Sequence, residues 1–83
     1  MGKTMTSDEI FAKLCDVLRD VFDDSTLQPT LKTSAKDVED WDSTNHVRVM
    51  VAIEAAFGVR FDSDEMSSPE TVGDLVDLIA AKL

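Results

Sequence analysis

The sequence predicts an all-α fold: a small four-helix bundle of three long helices and one short helix, with a long first loop. Three observations lead to this prediction. Apolar residues recur at helical spacing in three separate segments. Typical capping residues precede four segments, and no two strand-like segments are available to pair. The chain has 83 residues, enough for one hydrophobic core, so we expect a single domain over residues 1–83 with residues 1–5 disordered.

The first helix is predicted to begin after Thr6. Thr6 and Glu9 have the spacing of a capping box, in which each side chain bonds the other residue's backbone N–H. An apolar stripe follows at helical spacing, formed by Ile10, Phe11, Leu14, Val17, Leu18, Val21 and Phe22. Cys15 lies at the edge of this stripe with no histidine or basic cluster beside it, so we interpret it as a small core residue.

Residues 23–42 form a long, polar connection for so compact a chain. We interpret this segment as an ordered loop that a few apolar side chains hold against the core. These side chains are Leu27, Leu31, Val38 and Trp41. Trp41 is expected to anchor the end of the loop.

The second helix is predicted to begin at Ser43 and to stop at Gly58. Asp42 and Ser43 are both suitable N-caps, and glycine is the common residue at a helix C-terminus. One apolar stripe consists of Val49, Met50, Ile53 and Phe57, and a second, narrower stripe consists of Thr44, Val47, Val51 and Ala55. One core needs only one stripe, so the second is either packed by another helix or offered to a partner.

Two further helices are predicted after residues 59–61, a short apolar run that lacks a second strand to pair with. Asp62 and Glu65 have capping-box spacing before a short helix, and Thr71 and Asp74 have the same spacing before a long one. The buried stripe of the last helix is predicted to be Leu75, Val76, Leu78, Ile79 and Leu83.

The chain is strongly acidic, with 17 acidic residues against 8 basic ones and a net charge of -9. Nucleic acids and anionic membrane surfaces would be repelled, so neither is expected as a partner. The charge either suits basic partners or only maintains solubility. No apolar run reaches the roughly 20 residues of a membrane span, and a single cysteine forms no internal disulfide, so we expect a cytoplasmic protein.

Neither a metal site nor a catalytic site is predicted. Asp62 and Asp64 resemble the start of a calcium loop, but Ser67 stands where that loop needs its turn glycine. Ser43 and His46 lie one helical turn apart, yet no oxyanion-hole motif accompanies them, so a small hydrolase is a remote alternative. His46 is interpreted as a surface histidine.

Ser43 is the most informative polar residue, because it follows the long loop and opens a helix. We expect its hydroxyl to be exposed. A phosphodiester attached to it would face the free backbone N–H groups and the positive dipole end of the helix.

Three motifs in register resemble the acyl carrier proteins over nearly the whole chain. They are WDSTNHV at residues 41–47, AIEAAFGVRF at residues 52–61 and TVGDLVDLI at residues 71–79. In that family an Asp-Ser-Leu motif opens the second helix. The resemblance implies that Ser43 is esterified by 4′-phosphopantetheine, which a separate magnesium-dependent transferase takes from coenzyme A and which carries acyl groups as thioesters.

The resemblance also implies roles for neighbouring residues. Asp42 would help the transferase to recognise the site. Acyl-activating, ketosynthase or acyltransferase enzymes would dock on the second helix at Thr44, Val47, Arg48, Val51 and Glu54. The interior that shelters an acyl chain would be lined by Val49, Ile53, Phe57 and Leu78. Such carriers catalyse no reaction themselves and act as monomers.

The sequence departs from the family pattern at Thr44, which stands where leucine or methionine is usual, and at Arg48, Ala55 and Ala56, where fatty-acid carriers are often acidic. We therefore expect a discrete carrier of a dedicated pathway rather than the general fatty-acid carrier. A peptidyl carrier is disfavoured, because the Gly-Gly typical of that group is absent before Ser43. The alternative is a non-covalent helical interaction module in which Ser43 only caps the helix.

Overall fold

The computed structural model describes residues 5–83 and confirms the all-α prediction. Four α-helices follow one another: α1 (Ser7–Val21), α2 (Ser43–Phe57), α3 (Ser63–Ser67) and α4 (Val72–Lys82). Over this range the only β pairing is one isolated antiparallel bridge between Ser34 and Thr71. The predicted disorder of residues 1–5 concerns a segment of which residues 1–4 lie outside the described part. Within residues 5–83, no helix has the length and apolar character needed to cross a bilayer.

Reciprocal caps fix three of the four helix starts, as the sequence predicts. At α1, Glu9 N–H donates to Thr6 Oγ1 at 3.1 Å, and Thr6 N–H donates to Glu9 Oε1 at 2.9 Å. The same box starts α3 at Asp62 and α4 at Thr71. Each box satisfies N–H groups that have no carbonyl one turn earlier, so the helix boundaries are set by local sequence.

The end of α2 is set by Gly58. Its backbone adopts the left-handed conformation, with a φ of 68°, and its N–H donates to the carbonyl of Glu54 at 2.9 Å. A side chain is strained at such a φ, whereas glycine is not. The chain can therefore turn sharply and return Val59 and Phe61 to the core as buried residues without forming a strand.

The core is formed mainly by α1, α2 and α4, with α1 packed against both of the others. Its fully buried side chains are Ile10, Leu14, Leu18, Val49, Met50, Ile53, Val72, Leu75 and Ile79. Cys15 is buried as predicted. The prediction for Leu83 is wrong: it lies beyond the last turn of α4 and is 41% exposed, because the helix ends before its stripe reaches the core again.

The loop before α2 is ordered and contains a single 3₁₀ turn at Ala35–Asp37. Trp41 is buried at its end, which confirms its predicted role as an anchor. Leu31, by contrast, is 53% exposed and does not anchor the loop through its side chain. Its backbone does so instead, because the carbonyl of Leu31 accepts from Gly73 N–H at 2.8 Å and the carbonyl of Thr33 accepts from Val72 N–H at 2.8 Å.

Candidate functional site

The candidate site is the N-terminus of α2, where the structure decides between the two predicted caps. Asp42 is the N-cap, and its carboxylate accepts from Asn45 N–H at 2.9 Å. Ser43 is the first helical residue and is exposed. The reading of Ser43 as a cap is therefore wrong, because the capping bond is made by the residue before it.

The Ser43 hydroxyl does not take part in capping the helix. Within residues 5–83 it forms no hydrogen bond, and Asp42 makes the capping bond to Asn45 N–H in its place. Backbone N–H groups at the first two positions of a helix have no carbonyl one turn earlier, so those of Ser43 and Thr44 point outward beside the hydroxyl. The site thus combines an accessible nucleophilic oxygen with outward N–H donors.

The backbone that presents Ser43 is held from both sides. The side-chain amide of Asn45 donates to the carbonyl of Asp40 at 2.6 Å, which closes the loop onto the helix. His46 N–H donates to the carbonyl of Asp42 at 2.8 Å and starts the helical ladder. These two bonds span the serine, so its position is fixed by neighbours and not by its own side chain.

His46 is not the surface histidine that the sequence predicts. It is half-buried; its Nδ1 accepts from Trp41 Nε1 at 3.0 Å, and its Nε2 lies 2.6 Å from the carbonyl oxygen of Met66. An indole N–H only donates and a carbonyl only accepts, so Nδ1 carries no proton and Nε2 carries one. No sequence signal distinguishes this role, because the partner on α3 is 20 residues away and is a backbone atom.

This hydrogen bonding leaves the imidazole unable to act as a general base for Ser43. Its basic nitrogen, Nδ1, is already occupied by the Trp41 indole N–H. Burial raises the pKa of the Cys15 thiol, and that side chain lies in the core, so it offers no nucleophile either. Among residues 5–83, no group of three or more histidine, cysteine or carboxylate side chains is arranged to hold a metal ion.

Helix α3 lies beside the site and is held by polar contacts from two other helices, α2 and α4. Besides the bond from His46 to Met66, Lys82 Nζ on α4 donates to Glu65 Oε1 at 2.6 Å. This hydrogen bond, together with the bond from Asp62 N–H, lowers the pKa of the Glu65 carboxyl. No residue of α3 is fully buried, although Met66 packs against the core, so the polar contacts and this packing together place the helix.

The predicted docking residues do not all have the same surroundings. Thr44, Val47, Arg48 and Val51 are exposed on one side of α2, and Val47 and Val51 are 54% and 51% exposed. Glu54 is half-buried, and its Oε2 accepts from Phe61 N–H at 2.8 Å. Its carboxylate therefore holds the turn after α2. The sequence does not predict this contact, because a glutamate on a helix is usually exposed to solvent.

The four residues predicted to shelter an acyl chain all belong to the core. Val49 and Ile53 are fully buried, while Phe57 and Leu78 are half-buried and pack against the same cluster. Three grooves of about 830, 460 and 430 Å³ lie elsewhere and are not lined by these residues. An acyl chain entering between them would have to displace packed side chains.

Comparison with known proteins finds relatives that align over most of the chain, although no family model matches it. The acyl carrier protein of Acidothermus cellulolyticus is 38% identical over 92% of this chain and 90% of its own. The acyl carrier protein of Petrotoga mobilis is 34% identical over 95% of this chain and 93% of its own.

A solved structure has a fold similar to that of this chain. The solution structure of a holo acyl carrier protein from Geobacter metallireducens superimposes with a TM-score of 0.82 at 36% sequence identity. The match covers 88% of this chain and 84% of the other. Fold and sequence therefore agree over most of both molecules.

Proposed function

The chain belongs to the acyl carrier protein family, and from that premise we propose that it carries acyl groups as thioesters on a 4′-phosphopantetheine arm attached to Ser43. The observation that supports this most directly is that Ser43 does not cap α2. Because Asp42 bonds Asn45 N–H, modification of the Ser43 oxygen breaks no hydrogen bond within residues 5–83. The bound arm supplies a terminal thiol, and the protein supplies its position.

The residues around Ser43 fit a phosphodiester. Phosphate is stabilised at a helix N-terminus by outward N–H groups and by the helix dipole. The first turn of α2 contains no acidic residue, whereas the first turns of α1, α3 and α4 contain at least one each. The adjacent Asp42 carboxylate opposes the phosphate, and its Oδ1 accepts from Asn45 N–H.

The chain contains two other Asp-Ser pairs, Asp24-Ser25 in the loop after α1 and Asp62-Ser63 at the start of α3, and the pair at the helix start makes this selectivity testable. Asp62 caps α3, and Ser63 is the first residue of that helix, as Ser43 is of α2. However, α3 has only 5 residues, and Asp64 and Glu65 occupy its first turn. A short helix has a weaker dipole, and two carboxylates repel a phosphate, so Ser63 should remain unmodified.

We infer further that Asp42 contributes to recognition by a phosphopantetheinyl transferase and that acyl-activating, ketosynthase or acyltransferase enzymes meet α2 at Thr44, Val47, Arg48, Val51 and Glu54. The chain itself performs no catalysis in this scheme, and it acts as a monomer in the cytoplasm. Thr44 and Arg48 support a role in a dedicated pathway, since neither adds the apolar or acidic contact usual for a general fatty-acid carrier. Val49, Ile53, Phe57 and Leu78 are the residues that would part to admit an acyl chain.

The test is modification of the purified unmodified protein. We expect incubation with coenzyme A, Mg²⁺ and a broad-specificity phosphopantetheinyl transferase to add one arm, measured as intact mass and located by peptide mapping. Ser43→Ala should abolish the mass increase, and Ser63→Ala should leave it unchanged. No increase under conditions that modify a control carrier would favour the non-covalent interaction module instead.

A further inference from the structure

A shallow groove runs between the C-terminal end of α1 and the exposed side of α2. Its volume is about 460 Å³, and it is lined by Asp20, Val21, Val47, Arg48, Val51, Ala52 and Ala55. Val47 and Val51 stand one turn apart on α2 and are both more than half exposed. The groove floor is thus apolar surface that the fold of residues 5–83 does not cover.

Arg48 places a positive charge on the α2 wall of this groove, and Asp20 places a negative charge on the α1 wall. The two ion pairs formed among residues 5–83 are Arg19 with Asp16 and Lys82 with Glu65, so Arg48 is in neither. Asp20 lines the opposite wall but forms no ion pair with Arg48. The carboxylate of Glu54, one and a half turns further along α2, is bonded to Phe61 N–H instead.

The α2 side of the groove therefore differs in charge from the rest of the molecule. The chain has a net charge of -9, yet α2 contains one arginine and one glutamate and is formally neutral. A partner that offers only basic groups can pair with Asp20 on the α1 wall but meets repulsion at Arg48 on the exposed side of α2. A second copy of this chain is disfavoured as the occupant, because two molecules of the same high negative charge repel each other.

We propose that this groove receives an amphipathic helix of a partner enzyme, whose apolar side chains contact Val47 and Val51 and whose carboxylate pairs with Arg48. The proposal rests on the proposed carrier function, since it takes α2 as the face that partners meet. Apolar residues four apart on a helix match the one-turn spacing of the two valines. The ion pair determines which partner is preferred, and the apolar contact provides most of the binding free energy.

The test uses three helical peptides of identical length, each with leucines at positions i and i+4, flanked by glutamate, by glutamine or by lysine. Each is titrated into the ¹⁵N-labelled unmodified protein at 0.15 M salt, where charges beyond about 8 Å are largely screened. We expect the glutamate peptide to shift the amides of Val47, Arg48 and Val51. It should bind at least about threefold more tightly than the lysine peptide, the size of effect that one exposed ion pair produces.

Arg48→Glu should reverse this preference, and Arg60→Glu, which makes the same change in net charge outside the groove, should retain it. The proposal is overturned if the lysine peptide binds the native chain more tightly, if Arg48→Glu leaves the preference unchanged, or if no peptide shifts the groove amides. All titrations use protein without the arm, so their result is independent of modification at Ser43. Failure of the carrier proposal would be seen separately, as the absence of a mass increase.

Discussion

The indole N–H of Trp41 donates to Nδ1 of His46 at 3.0 Å, and the two rings lie nearly parallel, 6.1 Å apart at an angle of 23°. Through its other nitrogen His46 contacts the carbonyl oxygen of Met66 on α3. One imidazole therefore joins the end of the long loop, the first turn of α2 and the short α3. These three segments meet at the N-terminal end of α2, where Ser43 is exposed.

We expect His46→Ala to lower the free energy of unfolding by about 2 kcal/mol, because the partly buried Trp41 N–H and Met66 carbonyl both lose their partner. Urea unfolding followed by tryptophan fluorescence measures this directly, since Trp41 is the only tryptophan and the chain has no tyrosine. Thr44→Ala, an exposed change on the same helix, is the control and should cost less than about 0.5 kcal/mol. Equal losses in both variants would show that the hydrogen bonds of His46 do not stabilise the fold.

The division of roles between Asp42 and Ser43 gives a second prediction. Asp42→Ala should destabilise the protein by about 1 kcal/mol, because Asn45 N–H loses its acceptor. Ser43→Ala should change stability by only a few tenths of a kcal/mol, since alanine suits the first turn of a helix and no capping bond is lost. Chemical denaturation of the two variants side by side checks this. A larger loss of unfolding free energy for Ser43→Ala than for Asp42→Ala would show that the serine, and not the aspartate, caps the helix.

The sequence predicts most of this architecture because the signals that fix helix ends are local. Thr6 with Glu9, Asp62 with Glu65 and Thr71 with Asp74 lie three residues apart and form the boxes that their spacing indicates. The apolar period likewise identifies the buried side of α1, α2 and α4. These patterns need no knowledge of distant parts of the chain.

The contacts that the sequence does not predict join residues far apart through backbone atoms. His46 hydrogen-bonds to the backbone carbonyl of Met66 on α3, and Glu54 accepts from the backbone N–H of Phe61. The loop is joined to α4 by the carbonyl of Leu31, which accepts from Gly73 N–H. Every residue except proline has the same backbone N–H and C=O groups, so residue type does not indicate which backbone group a side chain will bond. Only the assembled fold shows that the histidine is structural and that the glutamate is engaged.

A side chain at Gly73 is expected to crowd the loop before α2, although this residue lies within α4. A Cβ at this position would be 3.0 Å from the carbonyl oxygen of Leu31, which already accepts from Gly73 N–H at 2.8 Å. Alanine in a helix is ordinarily about 1 kcal/mol more favourable than glycine. Here we expect Gly73→Ala to lower the melting temperature, because the loop must move away from α4. Asp77→Ala, an exposed change in the same helix, serves as the control, and a rise in melting temperature for Gly73→Ala would contradict the predicted close approach.

The contact between Lys82 and Glu65 should make one part of the stability depend on pH. The hydrogen bond from Lys82, with that from Asp62 N–H, lowers the pKa of Glu65 from its ordinary value of 4.5 in the folded protein. A lowered folded-state pKa means that the folded state favours the ionised form, so the contribution is complete above about pH 4.5 and is lost as the pH falls through the lowered pKa. We therefore expect the difference in melting temperature between the native chain and Lys82→Gln to be constant near neutral pH and to shrink below that value. Some difference should remain in acid, because Lys82 Nζ also lies 6.0 Å above the ring of Phe61 and this contact does not involve a carboxyl group.

Lys36→Gln supplies the matched control for that experiment, because it removes the same charge from an exposed lysine outside this contact. Its melting temperature should follow that of the native chain with no step in the range where Glu65 titrates. Glu65→Gln should abolish the pH-dependent part of the Lys82→Gln effect, since no carboxylate is then left to titrate beside the lysine. If the difference between the native chain and Lys82→Gln stays constant down to pH 3, the pair contributes no pH-dependent stability and α3 is held chiefly by His46.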